Sequence, residues 1–227
     1  MRDDLLNNAT EGISFFNIMT ESQRTDIENA SHIVNYKSGE LLFKIDTPIS
    51  HVMYLKSGLV KVFKEARNGK VIIIDLVASG SFISLLSVFC SGIYQYNASV
   101  VEDAQVVLLD IYVLRKLMKE NGSVANLLLE ETCRQGMNTL TKLLNQSHKQ
   151  LPGRVAEMLL TFSEKIYKSK SFNLPLSRRE LAELTGTTKE SMIRTLAEFR
   201  HDKIISIEGK KVEIISPGII NTLSRLG

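Results

Sequence analysis

Residues 177–200 read SRRELAELTGTTKESMIRTLAEFR, and this stretch decides the fold of the C-terminal part of the chain. Apolar residues recur at helical spacing on both sides of Gly186, as in two short helices joined by a turn. They are Leu181, Ala182 and Leu184 before the glycine, and Met192, Ile193, Leu196 and Phe199 after it. The stretch therefore predicts a helix-turn-helix.

Capping signals and polar side chains define the two predicted helices further. Ser177 with Glu180 matches a capping box, and Thr187 or Thr188 can cap the second helix. The polar residues predicted for the outer face of that helix are Lys189, Glu190, Ser191, Arg194 and Thr195. Such side chains hydrogen-bond base edges and phosphates, which is typical of a recognition helix in a DNA major groove. An ordinary surface helix also carries charges at such positions.

The segment that follows favours the recognition helix. Residues 204–207 and 212–215 are short runs rich in isoleucine, and the polar turn between them contains Gly209. These features predict a β-hairpin, and a hairpin directly after a recognition helix makes a winged helix.

Charge is distributed unevenly along the chain. Residues 1–148 hold 14 basic and 16 acidic residues, a net charge of −2, whereas residues 149–227 hold 14 and 9, a net charge of +5. A basic C-terminal third is typical of a nucleic-acid-binding module attached to a part with another task.

Length and composition suit one or two soluble domains, since 44% of the 227 residues are hydrophobic. The most apolar stretch, residues 71–88, is interrupted by Asp75 and by the residues 79–81, so we expect no membrane-spanning segment and no secretory signal. Cys90 and Cys133 lack the spacing of metal ligands, so we expect free thiols in a cytoplasmic protein.

The N-terminal part is predicted to begin with a helix at residues 20–30 and then to become rich in strands. The predicted strands are residues 33–36, 40–43, 51–55, 59–63, 71–76, 96–101 and 105–110. Turn signals separate them, among them Ser57-Gly58 and Glu102-Asp103. Turns that recur about every 8 to 12 residues predict an antiparallel barrel or sandwich.

Two helices are predicted between these parts, at residues 111–121 and 123–150. The longer helix carries two overlapping stripes at alternating spacings of three and four residues. One stripe is Leu129, Cys133, Gly136, Leu140, Leu143 and Ser147, and the other is Leu127, Arg134, Met137, Thr141 and Leu144. A helix with two apolar stripes must bury both, one against its own domain and one against a partner, which predicts a parallel two-helix dimer. The alternative is a core helix buried entirely within one chain. Pro152-Gly153 should break the helix before a new one at residues 154–167.

The chain resembles the CRP/FNR family of bacterial transcription regulators. Residues 36–63, YKSGELLFKIDTPISHVMYLKSGLVKVF, are similar to the opening of the cyclic-nucleotide-binding β-roll, and residues 177–196 are similar to the family's DNA-binding helices. The resemblance implies an α+β fold with a β-roll sensing domain at 1–122, a dimerisation helix at 123–150 and a winged helix-turn-helix at 151–227. It also implies a hinge at Pro152-Gly153, although an ordinary corner between helices would use the same residues.

The resemblance further implies which residues contact DNA. The family's base-contacting positions fall on Lys189, Glu190 and Arg194, and residues 190 and 194 also lie one helical turn apart. Lys189 replaces the arginine of nucleotide-dependent members, so it contacts either a guanine or only a phosphate. The whole predicted DNA-binding set is Lys189, Glu190, Ser191, Arg194, Thr188, Ser177, Arg178 and Arg179.

The resemblance implies three partners and no membrane. These partners are a second copy of the chain, RNA polymerase and a double-stranded DNA operator. Since a twofold dimer places two recognition helices in successive major grooves, we expect a palindromic operator with half-sites about 10 to 11 base pairs apart.

The sequence argues against cyclic AMP as the effector. In cyclic-nucleotide members a glutamate holds the ribose and an Arg-Ser or Arg-Thr pair holds the phosphate. Here Leu85 stands at the glutamate position and Tyr96-Asn97 at the position of the pair. A buried phosphate without a guanidinium would lack its main electrostatic compensation.

The cysteine and histidine content limits which other cofactors the chain can bind. The oxygen-sensing members hold an iron-sulfur cluster with four cysteines, and this chain has two. Haem stays open, because one histidine can serve as an axial ligand; the histidines are His32, His51, His148 and His201. Cys90 could be a redox-sensing thiol, although a small buried cysteine is the commoner case.

We find no motif of an enzyme, whether GxxxxGK[ST], HExxH or GxSxG. The leading hypothesis is a dimeric, sequence-specific DNA-binding transcription regulator with an altered effector pocket. The alternative is a small-ligand or haem sensor whose winged helix mediates protein contacts. Steeply salt-dependent DNA binding would separate the two, since counterion release requires several cations to meet phosphates.

Overall fold

The computed structural model describes residues 15–66 and 69–227, which form two compact units. Residues 15–64 and 74–139 make the N-terminal unit, and the remaining described residues, chiefly 140–227, make the C-terminal unit. None of the described helices is long and apolar enough to cross a membrane.

The N-terminal unit is an antiparallel sheet with short helices. The strands are β1 (Ser31–Tyr36), β2 (Leu41–Phe43), β3 (His51–Glu65), β4 (Val71–Ala78), β5 (Ser81–Ile83) and β6 (Asn97–Asp110). The helices are α1 (Glu21–Asn29), α2 (Leu85–Cys90), α3 (Ile111–Glu120) and the first part of α4 (Gly122–His148), preceded by a 3-10 turn at Phe15–Ile18. The strand order is β1-β6-β3-β4, with β2 also on β6 and β5 also on β3. The predicted β-roll is confirmed.

Two predicted turns are wrong. Ser57-Gly58 and Glu102-Asp103 lie inside the long strands β3 and β6, which pair with each other and shift register at this point. Gly58 has a φ of +97°, and a Cβ there would lie 2.5 Å from the carbonyl oxygen of Asp103. The turn-forming residues therefore mark an irregularity that both strands share, where only glycine fits the close approach.

The core of the N-terminal unit forms where the inner faces of the strands meet α1, α3 and the start of α4. Phe15, Phe16, Tyr54 and Phe82 pack edge to face around one another. Val124 and Leu128 bring α4 into the same core. The edge-to-face geometry is the one that aromatic quadrupoles favour.

The C-terminal unit is a winged helix. Its elements are the end of α4, α5 (Leu151–Leu160) with a π-helical turn at Thr161–Ile166, β7 (Ser171–Asn173), α6 (Arg178–Thr185), α7 (Lys189–His201), β8 (Ile205–Glu208), β9 (Lys211–Ile214) and α8 (Pro217–Leu226). The three strands pair in the order β7-β9-β8. The helix-turn-helix and the hairpin are confirmed, whereas β7 and α8 were not predicted.

The helix ends follow the capping rules. Ser177 and Glu180 form the predicted capping box of α6, and Gly186 ends that helix with a φ of +67°. Thr188, and not Thr187, caps α7 by accepting a hydrogen bond from the backbone N–H of Ser191.

The break between α4 and α5 lies earlier than predicted. α4 ends at His148, and Gln150 is already the N-cap of α5. Pro152 lies in the first turn of α5, where the N–H that proline lacks would have no helical partner. The proline thus starts the new helix instead of ending the old one.

Candidate nucleic-acid interface

The helix α7 turns one face to the core and the other to solvent. Met192, Thr195, Leu196 and Phe199 are buried. Lys189, Glu190, Ile193, Arg194 and Ala197 are exposed, and we call these five residues the reading face. Residues three and four apart share a side of a helix, which accounts for both sets.

Two residues of α7 lie opposite to their predicted sides. Thr195 was predicted on the outer face but is only 3% exposed, and Ile193 was predicted on the inner face but is 45% exposed. Thr195 lies three residues after Met192 and four before Phe199, so it shares their buried side. Ile193 instead falls with Glu190, Arg194 and Ala197. Because Met192 and Ile193 are adjacent and both apolar, sequence spacing alone left the rotation of this helix open.

The charged groups of the reading face are available to a partner. Within the part of the chain that the structure describes, no hydrogen bond or ion pair engages the side chains of Lys189, Glu190 or Arg194. Glu190 and Arg194 are one turn apart, so one acceptor and one forked donor point from the same surface. This pair can recognise a flat partner that offers donors and acceptors side by side.

Two of the predicted DNA-binding hydroxyls, those of Thr188 and Ser177, form caps, and the Ser191 hydroxyl is hydrogen-bonded to one of them. The Thr188 hydroxyl accepts from the Ser191 N–H at 3.2 Å and donates to the Ser191 hydroxyl at 3.1 Å. The Ser177 hydroxyl accepts from the Glu180 N–H and donates to the Glu180 carboxylate at 2.7 Å. Thr188, Ser191 and Ser177 therefore fix the starts of α6 and α7, where backbone N–H groups favour anions.

The two arginines at the start of α6 have different partners. Arg178 Nη2 donates to the carbonyl oxygen of Gly209, in the turn of the wing, at 2.9 Å. Desolvation by partial burial lowers the pKa of Arg178 from its ordinary value. Arg179 Nε donates to Glu183 on the same helix at 3.0 Å. Arg178 thus holds the hairpin against α6, a role that its sequence position did not reveal.

The wing presents basic residues that the sequence analysis did not select. Lys210 and Lys211 are exposed on either side of the step from the turn into β9. In the sequence, both lysines belong to the polar turn Glu208-Gly209-Lys210-Lys211 that predicted the hairpin. With Arg178 they bring three cations to the wing, where Glu208 and Glu213 of the hairpin are also exposed.

Arg154 connects three helices. Its Nε donates to the carbonyl oxygen of Thr185, the last residue of α6, at 2.9 Å. Its Nη1 donates to the carbonyl oxygens of Lys149 at 2.8 Å and Gln146 at 3.4 Å, just after and within the end of α4. One guanidinium on α5 therefore satisfies carbonyls at two helix C-termini, where a positive charge is favoured.

A second contact reinforces the same junction. Glu157 of α5 accepts from Asn145 Nδ2 at 2.8 Å and from Lys149 Nζ at 3.0 Å. Gly186 lies against Gln146 so closely that a Cβ would come within 3.3 Å of the Gln146 amide carbon. The end of α4, the start of α5 and the end of α6 are thereby fixed to one another.

The exposed side of α4 is apolar. Of its residues, only Val124 and Leu128 are fully buried. Leu129, Met137, Leu140, Leu143 and Leu144 are 46% to 63% exposed. These five, which we call the α4 stripe, come from both predicted stripes, so neither stripe as a whole packs on the N-terminal unit. A continuous exposed apolar stripe is typical of an interaction surface.

Neutral side chains occupy the positions at which cyclic-nucleotide members hold the ribose and the phosphate. Leu85 is fully buried, and the Asn97 amide oxygen accepts from the Ile45 N–H at 3.0 Å. Phe43 stacks on Tyr94 with ring centroids 3.6 Å apart, and burial raises the pKa of Tyr94 to about 12. Residues 76–101 contain no Asp, Glu, Lys or Arg. This segment offers no positive charge to a phosphate.

The candidate sensing residues lie near the surface. Cys90 and Cys133 are both exposed, against the expectation of a buried cysteine. His32, His148 and His201 are exposed, and His51 is partly buried with Nδ1 2.9 Å from the Ser50 hydroxyl. The described residues contain no group of three or more metal-ligating side chains.

Two family models match the chain. The cyclic nucleotide-binding domain matches residues 33–121, and the Crp-like helix-turn-helix domain matches residues 153–218. A CRP-like cAMP-activated global transcriptional regulator of Mycobacterium tuberculosis is 26% identical over 80% of this chain and 83% of its own length. A global nitrogen regulator of Synechococcus elongatus is 24% identical over 82% of this chain and 86% of its own length.

Solved structures show the same fold. FixK2 from Bradyrhizobium japonicum superimposes with a TM-score of 0.78 at 22% identity, over 85% of this chain and 96% of that one. A transcriptional regulator of the crp/fnr family from Eubacterium rectale gives a TM-score of 0.76 at 18% identity, over 93% of this chain and 97% of that one.

Replacing Arg154 by methionine should destabilise the C-terminal unit. The change keeps much of the side-chain length but leaves the carbonyls of Thr185 and Lys149 without their charged donor, so we expect a loss of about 2 to 3 kcal/mol in the free energy of unfolding. Urea denaturation followed by circular dichroism measures this.

Arg179→Met is the matched control. The Arg179 side chain is 71% exposed and pairs only with Glu183 within the described contacts, so its loss should cost less than about 1 kcal/mol. Equal losses for the two variants would contradict the role assigned to Arg154.

Proposed function

Because this chain belongs to the CRP/FNR family of transcription regulators, we propose that its reading face recognises base edges in the major groove of a double-stranded DNA operator. The family is one of regulators and not of enzymes, in agreement with the sequence analysis. The observation that carries the proposal is the pair Glu190 and Arg194: both side chains are exposed, lie one turn apart, and have no hydrogen-bond partner among the described residues.

Each side chain of the pair has a base that suits it. Arg194 donates two parallel hydrogen bonds to O6 and N7 of a guanine, and Glu190 accepts from N4 of a cytosine and orients the arginine. Lys189, at the first turn of α7, contacts a guanine or a neighbouring phosphate. The pair therefore reads one G·C base pair in each half-site.

The remaining predicted residues contact the DNA backbone. Ser177 starts α6, and Thr188 and Ser191 start α7, so phosphates meet the exposed N–H groups of both helices. Arg179 adds a cation beside them. Arg178 donates one hydrogen bond to the wing, and its other N–H groups bind a phosphate. Lys210 and Lys211 of the wing add further cations for the DNA backbone.

We propose that the chain works as a twofold dimer through the α4 stripe. The proposal keeps the domain boundaries at 1–122, 123–150 and 151–227, with residues 123–150 as the dimerisation helix. Five apolar side chains that are about half exposed in one copy would be covered by the same stripe of a second copy. Such a dimer binds a palindromic operator with half-sites about 10 to 11 base pairs apart.

The N-terminal unit senses an effector other than cyclic AMP. The Mycobacterium tuberculosis relative is described as cAMP-activated, but here Leu85 and Tyr96-Asn97 replace the charged and hydroxyl groups, and residues 76–101 carry no charge. A cyclic phosphate entering this segment would give up hydration without gaining an ion pair. RNA polymerase is the proposed second macromolecular partner, and the cytoplasm is the proposed location.

Replacing Leu144 by glutamate should weaken the dimer. A charge within the α4 stripe would be buried without a partner in the dimer, which costs several kcal/mol, so sedimentation at low micromolar concentration should show monomers. Ile215→Glu is the control, because Ile215 is 49% exposed, as Leu144 is, but lies outside the stripe. A dimeric Leu144→Glu variant would show that the stripe is not the interface.

Cyclic AMP should bind no more tightly than about millimolar, since a guanidinium–phosphate pair is missing. Isothermal titration calorimetry measures this, with the cAMP-activated Mycobacterium tuberculosis relative as the positive control. A micromolar dissociation constant for this chain would overturn the proposed change of effector.

Replacing Arg194 by alanine should reduce the preference for the operator. We expect a loss of about 1 to 3 kcal/mol on the specific site with little change on random duplex, because only the specific complex has the guanine contact. Arg179→Ala should weaken both complexes alike. The measurement is a binding competition between operator and random duplex at fixed salt, and an unchanged ratio for Arg194→Ala would mean that α7 is not the reader.

A further inference from the structure

We propose that Ile193 is a specificity-determining residue, and that it contacts the C5-methyl group of a thymine in each operator half-site. The inference rests on the proposed function, since it takes α7 as the helix that enters the major groove. It adds a base to the half-site that the charged pair does not read.

The position of Ile193 carries the inference. A single exposed isoleucine on a protein surface needs no explanation by itself. Ile193, however, is 45% exposed within the reading face, three residues after Glu190 and next to Arg194. A partner whose base edges meet those two charged groups must also cover this side chain.

The chemistry of the groove selects the thymine. Base edges in the major groove present hydrogen-bond donors and acceptors, except for the methyl group of thymine. Ile193 placed on any polar edge would remove water from that edge without replacing its hydrogen bonds, whereas the methyl group gains from being covered. Isoleucine is also stiff at χ1, so ordering it costs little entropy.

The geometry also limits where the thymine lies. Side chains three or four residues apart on a helix are separated by about 5 to 6 Å at Cβ. Base pairs are stacked about 3.4 Å apart. The thymine should therefore fall within about two steps of the G·C pair assigned to Glu190 and Arg194.

The test uses the full-length chain and deoxyuridine, which lacks only the methyl group of thymine. An operator is first selected from a random duplex library. Each thymine of the half-site is then replaced in turn, symmetrically, by deoxyuridine, and dissociation constants are measured for the wild type, Ile193→Ala and Ile219→Ala. Ile219 is the matched control, an isoleucine that is 50% exposed on α8, away from the reading face.

We expect the replacement of one thymine of the half-site by deoxyuridine to change the dissociation constant. Removing its methyl group should weaken wild-type binding about fourfold per half-site, as expected for one buried methyl group. Ile219→Ala should show the same effect. Ile193→Ala should bind the thymine operator more weakly and should no longer distinguish thymine from deoxyuridine at that position.

Two results would overturn the inference while leaving the proposed function in place: no thymine responds to deoxyuridine, or the response persists unchanged in Ile193→Ala, in each case with Arg194→Ala still losing the operator preference. If no sequence is selected at all, the proposed function fails and the inference fails with it.

Discussion

The C-terminal unit depends on one guanidinium. Arg154 joins the carbonyl oxygen that ends α6 to two carbonyl oxygens at the end of α4. Helix C-termini carry partial negative charge and unpaired acceptors, so a cation between two of them favours their close approach. The end of α4 and the end of α6 are thereby held together within the C-terminal unit.

Local contacts connect this junction to α7, and a further contact connects α6 to the wing. Gly186 lets α6 end close to Gln146, and Thr188 then starts α7, whose buried face of Met192, Thr195, Leu196 and Phe199 fixes its rotation. Arg178 holds the wing through the carbonyl of Gly209. Charged side chains therefore occur in two settings in this unit. Arg154 and Arg178 donate to backbone carbonyls within it, whereas Glu190 and Arg194 are exposed on its surface.

The N-terminal unit has the architecture of a nucleotide-binding domain, but its segment 76–101 is uncharged. Gly58 preserves the close approach between β3 and β6 that shapes the roll. The segment from 76 to 101 contains no charged residue, and Leu85, Asn97 and Tyr94 are occupied with internal packing and hydrogen bonds. Strand register depends on backbone pairing, whereas the ligand depends on a few side chains, so the fold of this unit does not by itself identify its ligand.

The sequence by itself determined the two helices around Gly186, the capping box at Ser177, the hairpin and the strand-rich character of the N-terminal part, because these follow from local spacing and local hydrogen bonds. It left open whether Thr187 or Thr188 caps α7. Only the tertiary structure decided that Ile193 faces out and Thr195 faces in, since the rotation of a helix is set by what packs against it. It also decided that Ser57-Gly58 is an irregularity within a strand, because turns and bulges use the same residues and differ only in pairing. The contacts from Arg154 to Thr185 and from Arg178 to Gly209 each span 31 residues, and no local pattern encodes a contact across that separation.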